Sequence, residues 1–205
     1  MEENMQQIIV GTKNEAKLAQ IKGALASLQF NIIGLSDDDN LPDIKEDGKT
    51  AQENAKKKAL AYTKELGHPV LSMDNALYFE KLPDEKQPGI NVRRIEGRND
   101  RPTDTELINY YSELVKGLGG RANAHWDFAI CFACPDGKVH ETTIVSPRIF
   151  TSKISSKTIE GYPLESIQIE PKTGQYISEM TQEEQDIFWQ KIIGKELCQF
   201  VKSFV

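Results

Sequence analysis

The sequence predicts an α/β fold, and three observations carry that expectation. Ile8-Ile9-Val10 is a short apolar run, Gly11 to Asn14 a tight polar turn, and Glu15 onward a helix start, so a buried strand feeds directly into a helix. Strand-like and helix-like stretches then alternate along the chain, most helix starts carrying a capping signature. The length, 205 residues, suits one domain, residues 1–205, with room for two lobes around a cleft.

The first helix is expected from Glu15 to Leu28, with Leu18, Ile21, Leu25 and Leu28 in one apolar stripe. Phe30 to Leu35 reads as a second strand, followed by the acidic turn Ser36-Asp37-Asp38-Asp39-Asn40. Thr50-Ala51-Gln52-Glu53 forms a capping box for a helix whose apolar face is Ala51, Ala55, Ala59 and Tyr62 and whose stop is Gly67. Pro69 to Met73 is a short strand that should deliver Asp74 at its C-terminal end, where ligands sit in open α/β sheets. Residues 82–102, rich in Pro, Gly and charge, read as an irregular connection carrying Arg93, Arg94, Arg98 and Arg101. A capping box at Thr103 to Glu106 opens a helix to about Leu118, ended by Gly119-Gly120. Two strands, Ala124 to Cys134 and Lys138 to Ser146, join through Pro135-Asp136-Gly137 as a hairpin. The last helix starts at the capping box Thr181 to Glu184, with Gly194 as an interruption.

Composition narrows the function. A net charge of -6 argues against coating a nucleic-acid polymer, whose affinity comes mainly from Lys and Arg neutralising phosphates. No stretch approaches the roughly 20 apolar residues that span a bilayer, and the start Met1-Glu2-Glu3-Asn4 is unlike a signal peptide, so a cytoplasmic location is expected. Three cysteines suit a reducing compartment, and Cys131 and Cys134 lie in an apolar run that reads as a core strand. His68, His125 and His140 lack the paired spacing of a zinc site.

Thr12, Asn14 and Lys17 gather where strand becomes helix. Free N–H groups at a helix start favour an anion, and a hydroxyl, an amide and an ammonium add donors; an ordinary capped helix is the other reading. The segment Asp43 to Glu53 and Asp74 bring carboxylates toward the same site. Phosphate donors beside carboxylates make chemical sense when a hard cation bridges them, and the inferred ion is Mg²⁺.

In order, Gly11-Thr12-Lys13-Asn14-Glu15-Ala16-Lys17, then Glu46-Asp47-Gly48-Lys49-Thr50-Ala51-Gln52-Glu53-Asn54-Ala55, Asp74, and Pro88-Gly89-Ile90 resemble the inosine triphosphate pyrophosphatase family. The resemblance implies a two-lobed fold around a twisted mixed central sheet flanked by helices, with an active-site cleft between the lobes. It also implies a homodimer that hydrolyses a nucleoside triphosphate to NMP and pyrophosphate with Mg²⁺, clearing ITP-, XTP- and dITP-like nucleotides. By position, Thr12, Asn14 and Lys17 match triphosphate-binding residues, and Lys17 joins Asp74 as a catalytic group. Asp74 matches the metal-binding or water-activating aspartate, and Glu46 the upstream metal-site acid, with Asp43 its rival.

The departures concentrate at the base. The family's acidic pair reads Met73-Asp74, followed by Asn75; its Phe-Gly-Tyr-Asp segment reads Tyr162-Pro163-Leu164-Glu165; its lysine after Glu183-Glu184 is Gln185; and its Ser-His-Arg reads Trp189-Gln190-Lys191. Asn75, Tyr162, Glu165, Gln185, Gln190 and Lys191 thus stand at substrate-binding positions with an altered polar code, which should change base selectivity. Two functions follow: an active pyrophosphatase of shifted selectivity, or a non-catalytic nucleotide-binding protein that keeps the fold. Hydrolysis of another phosphorylated substrate, with Arg93 to Arg101 as phosphate contacts, is a third.

Overall fold

The computed structural model describes residues 7–36 and 41–204. Asp37 to Asn40, most of the expected acidic turn, lie outside the described residues. A six-stranded sheet has the order β2-β1-β3-β4-β5-β6. Its strands are β1 (Gln7–Val10), β2 (Asn31–Gly34), β3 (Val70–Phe79), β4 (Arg121–Ala133), β5 (Val139–Thr151) and β6 (Gln168–Ile169). β1 runs parallel to β2 and β3, whereas β5 and β6 are antiparallel, so the sheet is mixed, as the resemblance implied. The helices are α1 (Glu15–Leu25), α2 (Ala51–Leu66), α3 (Asp104–Gly117), α4 (Gln182–Trp189) and α5 (Lys195–Lys202).

The chain divides into two compact units. The first comprises residues 1–75, 127–144 and 186–205, the second residues 76–126 and 145–185.

In the first unit, Ile8, Ile9 and Val10 are all buried, the pattern of a parallel strand covered on both faces. Helix α1 is shorter than its stripe predicts. It buries Gln20, Ile21, Gly23, Ala24 and Leu25, while Leu18 and Leu28 stay partly exposed. Thr50 caps α2 by accepting from the Glu53 N–H at 3.1 Å. The return bond of the expected box shifts by one residue, because Glu53 accepts from the Lys49 N–H at 2.6 Å. Gly67 closes α2 at φ 66°, a left-handed conformation that costs glycine little. Ala55 and Ala59 pack with Cys131 and Ala133 of β4, and burial pushes the Cys131 thiol up to about 12, so it acts as a small hydrophobe. Gly194 lets the last helix pass close to α1. A methyl there would stand 2.8 Å from the Ala24 carbonyl oxygen, and the turn Gln190–Gly194 between α4 and α5 is a π-helix.

The second unit is built on a core of Leu77, Phe79, Val92, Leu107, Ile108, Tyr111, Val115, Phe150 and Ile167, among others. Each large apolar side chain buried in this way contributes about 1.5–3 kcal/mol. Thr103 and Glu106 form the predicted capping box of α3. Tyr111 donates its hydroxyl to the Val92 carbonyl at 3.0 Å, which pins part of the irregular connection to the helix.

Strand β3 corrects the sequence reading most plainly. It runs on through Asp74 to Phe79, so Asp74 lies mid-strand and not at its end. The continuation is held by buried Ala76, Leu77 and Phe79 and by paired 3.0 Å backbone bonds between Leu77 and Gly89. The hairpin strands β4 and β5 likewise exceed their expected lengths, and β2 is shorter, with an alternating half-buried pattern.

Candidate active site

The candidate site is assembled within the first unit from three local structures: the turn after β1, helix α2, and the middle of β3. At the turn, the Thr12 hydroxyl accepts from the Asn14 N–H at 3.1 Å, and Asn14 Oδ1 accepts from the Lys17 N–H at 3.1 Å. Asn14 is thus the N-cap of α1, and the expected cap and the candidate anion turn fall on the same residues. The ammonium of Lys17 reaches across to donate to the Met73 carbonyl oxygen at 3.2 Å.

The same carbonyl receives a second ammonium. Lys58 Nζ lies 3.3 Å from Met73 O, 2.7 Å from Glu46 Oε1 and 3.5 Å from Asp74 Oδ1. The Lys58 side chain is 10% exposed and that of Asp74 14%, so this cation is largely withdrawn from water. Three oxygens around one ammonium offset the cost of that burial. Asp74 Oδ2 accepts from Asn54 Nδ2 at 3.1 Å.

The structure therefore brings Lys17, Glu46 and Asp74 together through Met73 and Lys58. Asp43, the rival acid, is exposed on the same loop; Glu46 is the acid that shares Lys58 with Asp74. Asn75 is partly buried, and its Oδ1 makes no hydrogen bond among the described residues. Glu53 remains committed to the start of α2.

Of the base-side positions, Gln190 and Lys191 are exposed in the π-helical turn of the first unit. Trp189 is buried there against Phe128 and Phe188, an apolar packing role in place of the family's serine. Tyr162, Glu165 and Gln185 belong to the second unit. Gln185 donates to the Met180 carbonyl at 3.2 Å. Burial pushes the Glu165 carboxyl up to about 7, against the opposing pull of Arg148, and lowers Arg148 to about 10. Burial, with the Glu165 charge second, also raises the Tyr162 phenol. The basic residues of the connection are occupied at two positions: Arg93 pairs with Asp104 and the Gly161 carbonyl, and Arg98 with Asp100 and Glu106.

Asn54 and Lys58 escaped the sequence reading, although a signal existed. Positions 51, 54, 55, 58, 59 and 62 share one helical face, and the buried residues of α2 are Ala51, Asn54, Ala55, Lys58, Ala59, Tyr62 and Thr63. Two polar side chains within an alanine stripe were the sign of a polar site beneath the helix.

A capped strand-to-helix turn beside a lysine-bridged carboxylate pair, set on a mixed sheet, is the arrangement of an α/β protein with a polar site at the sheet. The chain belongs to the Ham1 family, whose model matches residues 8–189. A dITP/XTP pyrophosphatase of Geobacter sulfurreducens is 32% identical over 153 residues, covering 70% of this chain and 74% of that protein. A dITP/XTP pyrophosphatase of Nitratidesulfovibrio vulgaris is 25% identical over 186 residues, 87% of each chain. In fold, the chain is similar to a HAM1 protein from Coxiella burnetii, with TM-score 0.72 and 24% identity over 97% of this chain and 100% of that one. It is likewise similar to the Staphylococcus aureus Ham1 protein, with TM-score 0.70 and 23% identity over 97% and 99% of the two chains.

Proposed function

We propose that residues 1–205 act as a single nucleoside triphosphate pyrophosphatase domain, clearing non-standard nucleotides of the ITP, XTP or dITP kind to NMP and pyrophosphate. The observation that carries this reading is the convergence of Lys17 and Lys58 on the Met73 carbonyl beside Asp74. It brings two ammonium groups and a carboxylate close to the turn that opens α1. The names of the relatives supply the substrate class.

The donor set suits Mg²⁺. Glu46 and Asp74 both lie within reach of one ammonium, so their oxygens already face a common cationic position, and hard oxygen ligands are what Mg²⁺ takes. Glu46 and Asp74 would hold the ion, which would neutralise phosphate charge and orient the reacting groups. Lys17, the Thr12 hydroxyl and the first N–H groups of α1 bind triphosphate oxygens, Lys17 exchanging the Met73 carbonyl for the stronger anionic acceptor. Asn14 holds the turn in shape. A carboxylate oxygen of Asp74 takes the proton of the attacking water. The water oxygen bonds to the α-phosphorus, the bond to the bridging oxygen breaks, and pyrophosphate leaves.

Asn75, Tyr162, Glu165, Gln185, Gln190 and Lys191 are our assignment for substrate contacts that set an altered base selectivity. We assign the protein to the cytoplasm as a homodimer; among the described residues no helix is long and apolar enough to cross a membrane. The intact set of Lys17, Lys58 and Asp74 favours an enzyme over a nucleotide-binding protein without turnover.

The test is pyrophosphate release, coupled to inorganic pyrophosphatase and phosphate detection, across ITP, XTP, dITP, dUTP and the four common NTPs with and without Mg²⁺. Mg²⁺-dependent turnover of a non-standard nucleotide is expected. A folded protein that turns over none of them overturns the reading.

A further inference from the structure

We propose that Asn54 is the positioning residue of this site, an amide clamp that sets which oxygen of Asp74 is presented for chemistry. The inference rests on the role given to Asp74 above. Asn54 is 3% exposed, on the second turn of α2. Its Oδ1 accepts from the Gly48 N–H at 2.8 Å, and its Nδ2 donates to Asp74 Oδ2 at 3.1 Å. The two bonds define the amide's orientation unambiguously: a backbone N–H can only donate and an ionised carboxylate can only accept, so the oxygen must face Gly48 and the nitrogen Asp74.

The clamp closes a ring. Glu46, two residues before Gly48, accepts from Lys58 at 2.7 Å. Lys58 stands 3.5 Å from the other oxygen of Asp74, Oδ1, and lies one turn beyond Asn54 on the same helix. The acidic loop, α2 and β3 are thereby joined through Gly48, Asn54, Asp74, Lys58 and Glu46. Gly48 makes the approach possible, since a methyl on it would stand 2.6 Å from Asn54 Oδ1 and 2.9 Å from Glu53 Cβ. With Oδ2 held by the amide, rotation of the Asp74 carboxylate costs a buried hydrogen bond, and Oδ1 stays turned to the cationic position.

The geometry predicts an asymmetric response to substitution. Asn54→Asp keeps an acceptor for Gly48 but sets a carboxylate oxygen against Asp74 Oδ2, so Asp74 must turn. We expect kcat to fall by about 100-fold, the scale of a small misplacement of a reacting group, with KM for the nucleotide within about threefold, since the phosphate turn is untouched. Asn54→Ala, which removes the donor without adding charge, should lower kcat by about tenfold. An Asn54→Asp protein with unchanged kcat, or one that loses KM and keeps kcat, overturns the clamp.

A second measurement needs no Asn54 variant. The Asn54 side-chain amide protons, followed by NMR, should exchange with water more slowly in the wild type than in Asp74→Ala; equal rates overturn the proposal. If the wild type hydrolyses no nucleotide, the functional reading fails, and the exchange rates still decide whether the amide holds Asp74.

Discussion

The ammonium of Lys58 donates to Glu46 Oε1 over 2.7 Å, so a buried cation on α2 fixes a half-exposed acid of the preceding loop. The loop that carries Glu46 is irregular from residue 41 to 50, and this bond sets where its carboxylate points. The same cation also balances Asp74, which makes Lys58 the electrostatic centre of the resting site.

Lys58→Met should therefore damage activity more than stability. It removes the counter-charge of Asp74 while keeping most of the apolar stem. We expect kcat/KM to fall by about 100-fold, equivalent to about 2.7 kcal/mol of transition-state stabilisation. The melting temperature should fall by only about 2–4 °C, the shift that about 1 kcal/mol gives in a chain of this size, because Glu46 is half in water and screened. Steady-state kinetics and calorimetry on the variant measure both.

Asp74→Asn should separate binding from turnover. The amide keeps the size of the side chain but cannot take the proton of water, and general-base contributions run to about 10²–10⁴-fold. Pyrophosphate release should drop by about 1,000-fold, while the nucleotide still raises the melting temperature through the phosphate turn. Loss of both together would place Asp74 in binding.

Gly11→Ala tests the packing of the turn against β3. A methyl at Gly11 would lie 2.2 Å from the Ser72 hydroxyl and 3.0 Å from the Tyr62 ring, and Ser72 is fully buried. Overpacking of this kind costs about 1–3 kcal/mol, so the melting temperature should drop by about 5 °C. A variant as stable as the wild type would show that the turn can move away from β3.

Glu165 predicts a pH dependence of stability. Burial raises its folded-state value from 4.5 to about 7, so between those pH values the folded protein holds a proton that the unfolded chain releases. The contribution of this group is greatest below about 4.5, declines as pH rises, and levels off above about 7. Glu165→Gln copies the protonated form at all pH values. It should match the wild type near pH 5 and melt higher than it at pH 8; equal melting curves at pH 8 would contradict the assignment.

Much of the fold was legible because it is locally encoded. The caps at Asn14, Thr50, Thr103 and Thr181 each read from a few adjacent residues, and each is found in the structure. The full length of β3 was not legible, because the partners that extend it past Asp74, among them Gly89, come from a connection with no strand pattern of its own. The irregularity of the last helix was half legible: Gly194 marked the place, but not that the turn there is π-helical or that the Ala24 carbonyl would stand 2.8 Å from a methyl on residue 194.

For the site, the sequence by itself determined the strand-to-helix turn, since the hydrogen bonds of Thr12, Asn14 and Lys17 form among nearly contiguous residues, and the order of motifs singled out Glu46 and Asp74 as candidates. Only the tertiary structure decided that Lys17 and Lys58 meet on the Met73 carbonyl and that Asn54 holds Asp74. A backbone carbonyl carries no sequence signal, and a buried lysine or asparagine reads as a solvated helix residue until the strand beneath it is known. Local hydrogen bonds are written in neighbouring residues; the balance of buried charge is settled only when distant segments exclude water together.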